Sequence, residues 1–122
     1  MLIKIKTSLT EYNYSNVEHV TNIIGNIDDN IITYIDDAVA VTILKYDDYI
    51  ILKRATNDYI IELNFKTLSG GITLLESNKT LPLEIKLEYS KIADNKINIK
   101  YILNTNPNIM HFKLEYEVDY ES

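Results

Sequence analysis

The signal that most constrains this chain is an alternation of apolar and polar residues with a period of two. Leu81, Leu83, Ile85, Leu87 and Tyr89 share one parity, and Pro82, Glu84, Lys86 and Glu88 share the other. Ile97, Ile99, Tyr101 and Leu103 stand likewise against Lys96, Asn98 and Lys100. Met110, Phe112, Leu114, Tyr116 and Val118 stand against His111, Lys113, Glu115 and Glu117. Successive side chains of a strand point to opposite faces, whereas a helix would scatter these groups around its circumference. Half-buried strands are therefore expected over 81–89, 96–103 and 110–118, and near 3–9 through Ile3 and Ile5. No stretch shows the helical period, so no covering helix is expected.

The middle of the chain is more uniformly apolar. Its strands are expected near 17–27, 31–36, 38–46, 49–55, 58–66 and 71–76, separated by Asp28-Asp29-Asn30, Asp36-Asp37, Asp47-Asp48, Asn57-Asp58 and Gly70-Gly71. Asx and Gly residues favour turns because they accept left-handed backbone or bond their own main chain. The tetrapeptide Asp-Tyr-Ile-Ile occurs twice, at 48–51 and 58–61. With "RATN" between the copies this reads as one hairpin, since solenoid repeats need longer periods and more copies. Ten strands with short connections make an antiparallel meander. A sheet that long in 122 residues is expected to curl and close, which removes exposed edges. The expectation is thus an all-β fold, a ten-stranded up-and-down barrel formed by a single domain over residues 1–122, with a two-sheet β-sandwich as the alternative.

Charge narrows the partners. Eighteen acidic against twelve basic side chains leave a net charge of −6, without the basic stripe that phosphate backbones require. Nucleic acid and anionic membrane are excluded as expected partners. Cysteine is absent, which removes disulfides, thiolate metal sites and a cysteine nucleophile. The opening "MLIKIKTSLTEYNY" has no long apolar run, so a cytoplasmic protein without signal peptide is expected. Oligomeric state leaves no mark in the sequence.

Within "NFKTLSGGITLLESNKTLPLEIKL" (64–87), Phe65, Thr67, Gly70 and Thr80 stand in a characteristic order, followed by Tyr101 in "NKINIKYIL" and by "FKLEYEV". In this order the chain resembles the YwiB-like family of small bacterial domains, which have a lipocalin-like (calycin) barrel and no assigned activity. Leu68-Ser69 stands where that family usually has Pro-Tyr, and its upstream Gln-Arg-Phe element is missing. The resemblance implies the barrel and carries over no catalytic residue.

Candidate sites are few. Arg54, the one arginine, shares parity with Ile50 and Leu52 and is expected at a barrel mouth, where its planar fork suits a carboxylate or phosphate. The competing reading is a side chain resting beside the turn acid Asp58. His19 shares parity with Thr21 and Ile23 and is expected to face inward, whereas His111 alternates onto the polar face as a surface histidine. Two histidines do not make a zinc site, and the Asp doublets read as solvated turns rather than a calcium crown. Strand tyrosines, Tyr59 and Tyr101 among them, either pack the core or line a lumen with their hydroxyls. No nucleophile elbow or phosphate loop is present, so neither catalytic residues, a cofactor nor a metal is expected. The functional expectation is a barrel binding a small, partly apolar ligand through Arg54, Tyr59, Tyr101 and His19. A filled barrel serving as an interaction module is the alternative, and an enzyme ranks third.

Overall fold

The structure is a computed structural model and describes residues 1–12 and 18–120. Ten strands follow one another: β1 (Leu2–Glu11), β2 (Thr21–Asp28), β3 (Ile31–Asp36), β4 (Val39–Lys45), β5 (Ile50–Ala55), β6 (Tyr59–Asn64), β7 (Ser69–Leu74), β8 (Lys79–Ala93), β9 (Lys96–Leu103) and β10 (Asn106–Val118). Each pairs antiparallel with its neighbour in sequence, and β1 pairs with both β2 and β10. The sheet is therefore a closed barrel, and the two-sheet sandwich does not form. No helix long and apolar enough to cross a bilayer occurs among the described residues.

The alternating parity became the two sides of the wall. Ile3, Ile5, Ile32, Ile43, Ile50, Leu52, Leu63, Leu83, Ile97, Ile99 and Leu114 pack inside, nearly devoid of solvent contact. Branched and γ-branched residues suit this because they fill a pleated surface with few rotamers. Phe65 rises from the β6–β7 turn to plug one end, its ring edge-on to Tyr101 with centroids 5.1 Å apart. The turns after β2, β4, β6 and β8 surround that plugged end, and those after β3, β5, β7 and β9 surround the opposite mouth.

The register lays two rows of lumen-facing residues across β3 to β8. One runs Ile32–Ile43–Leu52–Leu63–Gly70–Leu83, the other Tyr34–Val41–Arg54–Ile61–Ile72–Leu81. Strands in a barrel tilt by about 35–45° from its axis, so a row perpendicular to them climbs as it goes round. The first row stays in the core except at the half-buried Gly70. The second starts buried at Tyr34 and Val41 and reaches the rim at Leu81, which is 51% exposed.

Three local expectations are corrected. The Gly70-Gly71 pair lies inside β7 rather than in the turn before it. A Cβ at Gly70 would run into the Glu62 carbonyl, so glycine permits close strand contact there. The turn itself is made by Asn64, whose Oδ1 accepts from the Lys66 and Thr67 amides at 3.0 and 3.1 Å, and by Leu68 at φ 57°. In β8 an irregularity between Leu87 and Tyr89 shifts the register, so Tyr89 leaves the apolar face and Ser90 pairs with Ile99. The second strand begins at Thr21, so His19 precedes it and its expected strand parity does not apply.

Candidate functional site

The mouth holds a pocket of about 210 Å³, bordered by Thr7, Tyr34, Asp36, Val41, Arg54 and Phe112, with His19 and Thr21 at its edge. β1 supplies Thr7, β3 supplies Tyr34 and Asp36, β5 supplies Arg54 and β10 supplies Phe112, each on the inward parity of its strand. Thr7 is fixed by a 2.9 Å bond from its hydroxyl to the Lys113 carbonyl. Burial pushes the Tyr34 phenol up to about 12, opposed by its bond to Thr7 and by the Arg54 charge. Burial likewise raises Tyr101 to about 12, with Arg54 the opposing charge. Both phenols are neutral over the physiological range and present dipoles, not charges.

Arg54 brings the one guanidinium to this pocket. Among the described residues, no carboxylate lies within salt-bridge distance of it, Asp58 included. Asp36 shares the pocket but stands farther off than an ion pair. From Arg54 the climbing row passes Ile61 and Ile72 to Leu81, about 14 Å along the wall at the usual strand spacing. One end of the mouth is therefore cationic and the other apolar.

Of the residues singled out in the sequence, Arg54 and His19 border the pocket. His19 is exposed in the stretch before β2 rather than facing inward from a strand. Tyr101 is buried in the barrel core against Phe65 and does not border the pocket. Tyr59, at the first position of β6, is half-buried beside the turn where Thr56 bonds its carbonyl, away from the pocket. Sequence reading missed Thr7 and Asp36, and it took Tyr34 only as one of the strand tyrosines that pack the core or line a lumen. Tyr34 and Asp36 share parity with Ile32, which would have placed them inside, but Asp36 had been assigned to turn chemistry.

A larger hollow of about 590 Å³ lies between β1, β2 and β10, lined by Lys4, Lys6, Glu115 and Glu117 with Ile5 and Tyr116 behind them. Its charges compensate one another: Lys6 pairs with Glu115 at 3.8 Å, and Lys4 lies directly opposite Glu117. Among the described residues, no group of three His, Asp or Glu side chains is placed to hold a metal ion.

His111 departs from its expected place at the surface. It points outward, yet only 7% of it meets solvent because Tyr12 covers it. Its Nδ1 lies 2.6 Å from the Tyr12 hydroxyl and its Nε2 2.6 Å from Asn98 Oδ1. Burial lowers its pKa, Lys113 and Lys100 lower it further, and Glu18 opposes them.

No family model matches the chain, and no curated protein matches it either. Among solved structures, the chain is similar to the crystal structure of the ywiB protein from Bacillus subtilis, with a TM-score of 0.63 at 14% identity, over 97% of this chain and 92% of that one. At that identity the likeness is one of fold, and it makes this a ten-stranded closed barrel of the YwiB shape.

Proposed function

We propose that this barrel binds a small amphiphilic monoanion at its open mouth. The carboxylate or phosphate head meets Arg54, and the apolar part lies along Ile61, Ile72 and Leu81. The observation that carries this reading is the Arg54 guanidinium, set in a lumen pocket without an ion-pair partner among the described residues. A planar fork in a partly desolvated pocket is well matched to a carboxylate. Asp36, on the same pocket, disfavours a second negative charge on the ligand. Thr7, His19 and Thr21 border the pocket with polar groups that suit the head. The exposed, lumen-facing Leu81 and Leu74 give the apolar part a surface. The net charge of −6 supports a small ligand over a polyanion or an anionic membrane.

The test is titration of the protein with medium-chain carboxylates and alkyl phosphates, read by tyrosine fluorescence. It is paired with native mass spectrometry of protein purified from its own host. Saturable binding that falls at least tenfold in Arg54→Ala supports the reading. Absence of any saturable change up to about 1 mM, a very weak affinity by the usual scale, together with no retained molecule, overturns it.

A further inference from the structure

Outside the lumen, three polar side chains line up in a way that the binding reading does not use. The β1–β10 ladder ends with Glu11 opposite Met110, and one further bond, from the Tyr12 amide to the Ile109 carbonyl at 2.8 Å, carries the chain past the strand end. The Tyr12 ring then stands edge-on to His111, with centroids 5.7 Å apart. His111 sits opposite Lys100 and next along from Lys113, which itself pairs with Asn98. This register brings Asn98 to the far nitrogen of the imidazole.

The proton positions follow from what each atom can do. Asn98 Oδ1 only accepts, so His111 Nε2 carries a hydrogen and donates it. In the neutral ring Nδ1 is then an acceptor, and the Tyr12 hydroxyl donates to it. A hydroxyl thus points its proton at an imidazole lone pair, and a carboxamide fixes the tautomer and ring orientation. This is the nucleophile–base–orienter order of activated hydroxyls. The Lys100 ammonium stands over the Tyr12 ring, 5.7 Å from its centroid, and puts positive charge beside that ring. The other charged groups facing the imidazole are Lys113 from β10 and Glu18, which accepts from both Ser8 and Lys113. His111 is 7% exposed while Tyr12 is half-buried beside it, so the base is better shielded from solvent than the residue that it activates.

We propose that Tyr12 is an acyl-acceptor site, with His111 as its general base, Asn98 as the positioning residue and an activated ester as its substrate class. The phenolic oxygen bonds to the acyl carbon as the ester C–O bond breaks. The phenol proton passes to His111 Nδ1 and from there to the departing alkoxide or phenoxide, so the imidazole ends neutral. No oxidant or metal enters the balance. The site is separate from the lumen mouth and stands whether or not the mouth binds a ligand.

The experiment treats the whole chain with p-nitrophenyl acetate and reads nitrophenolate release. Tyrosine esters are located by peptide mapping, with hydroxylamine reversal to separate them from acetylated amines. The other nine of the ten tyrosines are internal controls, above all Tyr120, which is 90% exposed. The expected result is acylation of Tyr12 at least tenfold faster than of Tyr120. His111→Gln lowers the Tyr12 rate to the Tyr120 level, and Asn98→Ala lowers it in part and shifts its pH profile. In the unaltered chain the rate falls at acidic pH as His111 takes a proton. Tyr12→Phe, which needs no repacking of the imidazole, removes the fast phase even if His111→Gln fails to fold. A Tyr12 rate equal to that of Tyr120, or one unchanged in folded His111→Gln, overturns the proposal.

Discussion

Two rows of side chains cross the same strands β3 to β8, two residues apart, and they have different fates. In the row from Ile32 to Leu83 every side chain is buried and only Gly70 is partly open, with Ile32 and Ile43 at zero exposure. The row from Tyr34 to Leu81 begins in the same core and ends in solvent. They differ in kind at β3, where Ile32 is matched by Tyr34, at β7, where Gly70 is matched by Ile72, and most sharply at β5, where Leu52 of the first row is matched by Arg54 of the second. The first row does the work of folding: it buries an apolar side chain on every strand it crosses but β7. The second row spends part of its length unburied, and one of its members is a cation without an ion-pair partner among the described residues. Neither feature helps stability, so this row is where binding is to be sought.

The largest effect expected from this contrast is on stability. Leu52→Ala leaves a cavity in the sealed row and should destabilise the barrel by about 2–5 kcal/mol in urea denaturation. Leu81→Ala, in the open row, should cost less than about 1 kcal/mol because its side chain is already half in water. Equal losses would break the distinction between the rows. Gly70→Ala adds a methyl to the sealed row against the Glu62 carbonyl, and a loss of about 1–3 kcal/mol is expected from overpacking.

The phenols sharpen the boundary between the two regions. Tyr34 and Tyr101 hold pKa values near 12 in the folded barrel, against about 10 in the unfolded chain. Their protonated forms therefore contribute stability that is complete below about pH 10 and lost as pH rises towards 12. Tyrosinate absorbance should show Tyr34 and Tyr101 titrating last, at the pH where the fold gives way. Titration of Tyr34 and Tyr101 near pH 10, with the fold intact, would mean that the barrel interior is wetter than described. The smallest stability effect belongs to Arg54→Ala, within about 0.5 kcal/mol, since Arg54 has no ion-pair partner among the described residues. The same substitution should abolish anion binding.

Much of the barrel was legible because parity is a local property. Ile97, Ile99 and Tyr101 announce their face without reference to any partner, and turn residues such as Asp29 at φ 57° announce the ends. What stayed hidden depends on what lies opposite. Gly70 looked like a turn residue because a glycine needed for close strand approach and one needed for a reversal are the same letter. Tyr89 carried the right alternation until the irregularity in β8 turned it outward. His111 was correctly placed on the outer parity, but its burial is supplied by Tyr12, ninety-nine residues away in sequence. Arg54 was found by parity and by being the sole arginine, whereas Thr7 and Asp36 join it only once the sheet has rolled up.

Methyl NMR of the isoleucine- and leucine-labelled protein during titration with octanoate tests the central claim most directly. The account predicts saturable shifts at Ile61, Ile72 and Leu81, with Ile32, Ile43 and Leu63 unmoved, and loss of the response in Arg54→Ala. Shifts confined to outer-wall methyls such as Ile24 and Ile35, or an equal response from both rows, would contradict it.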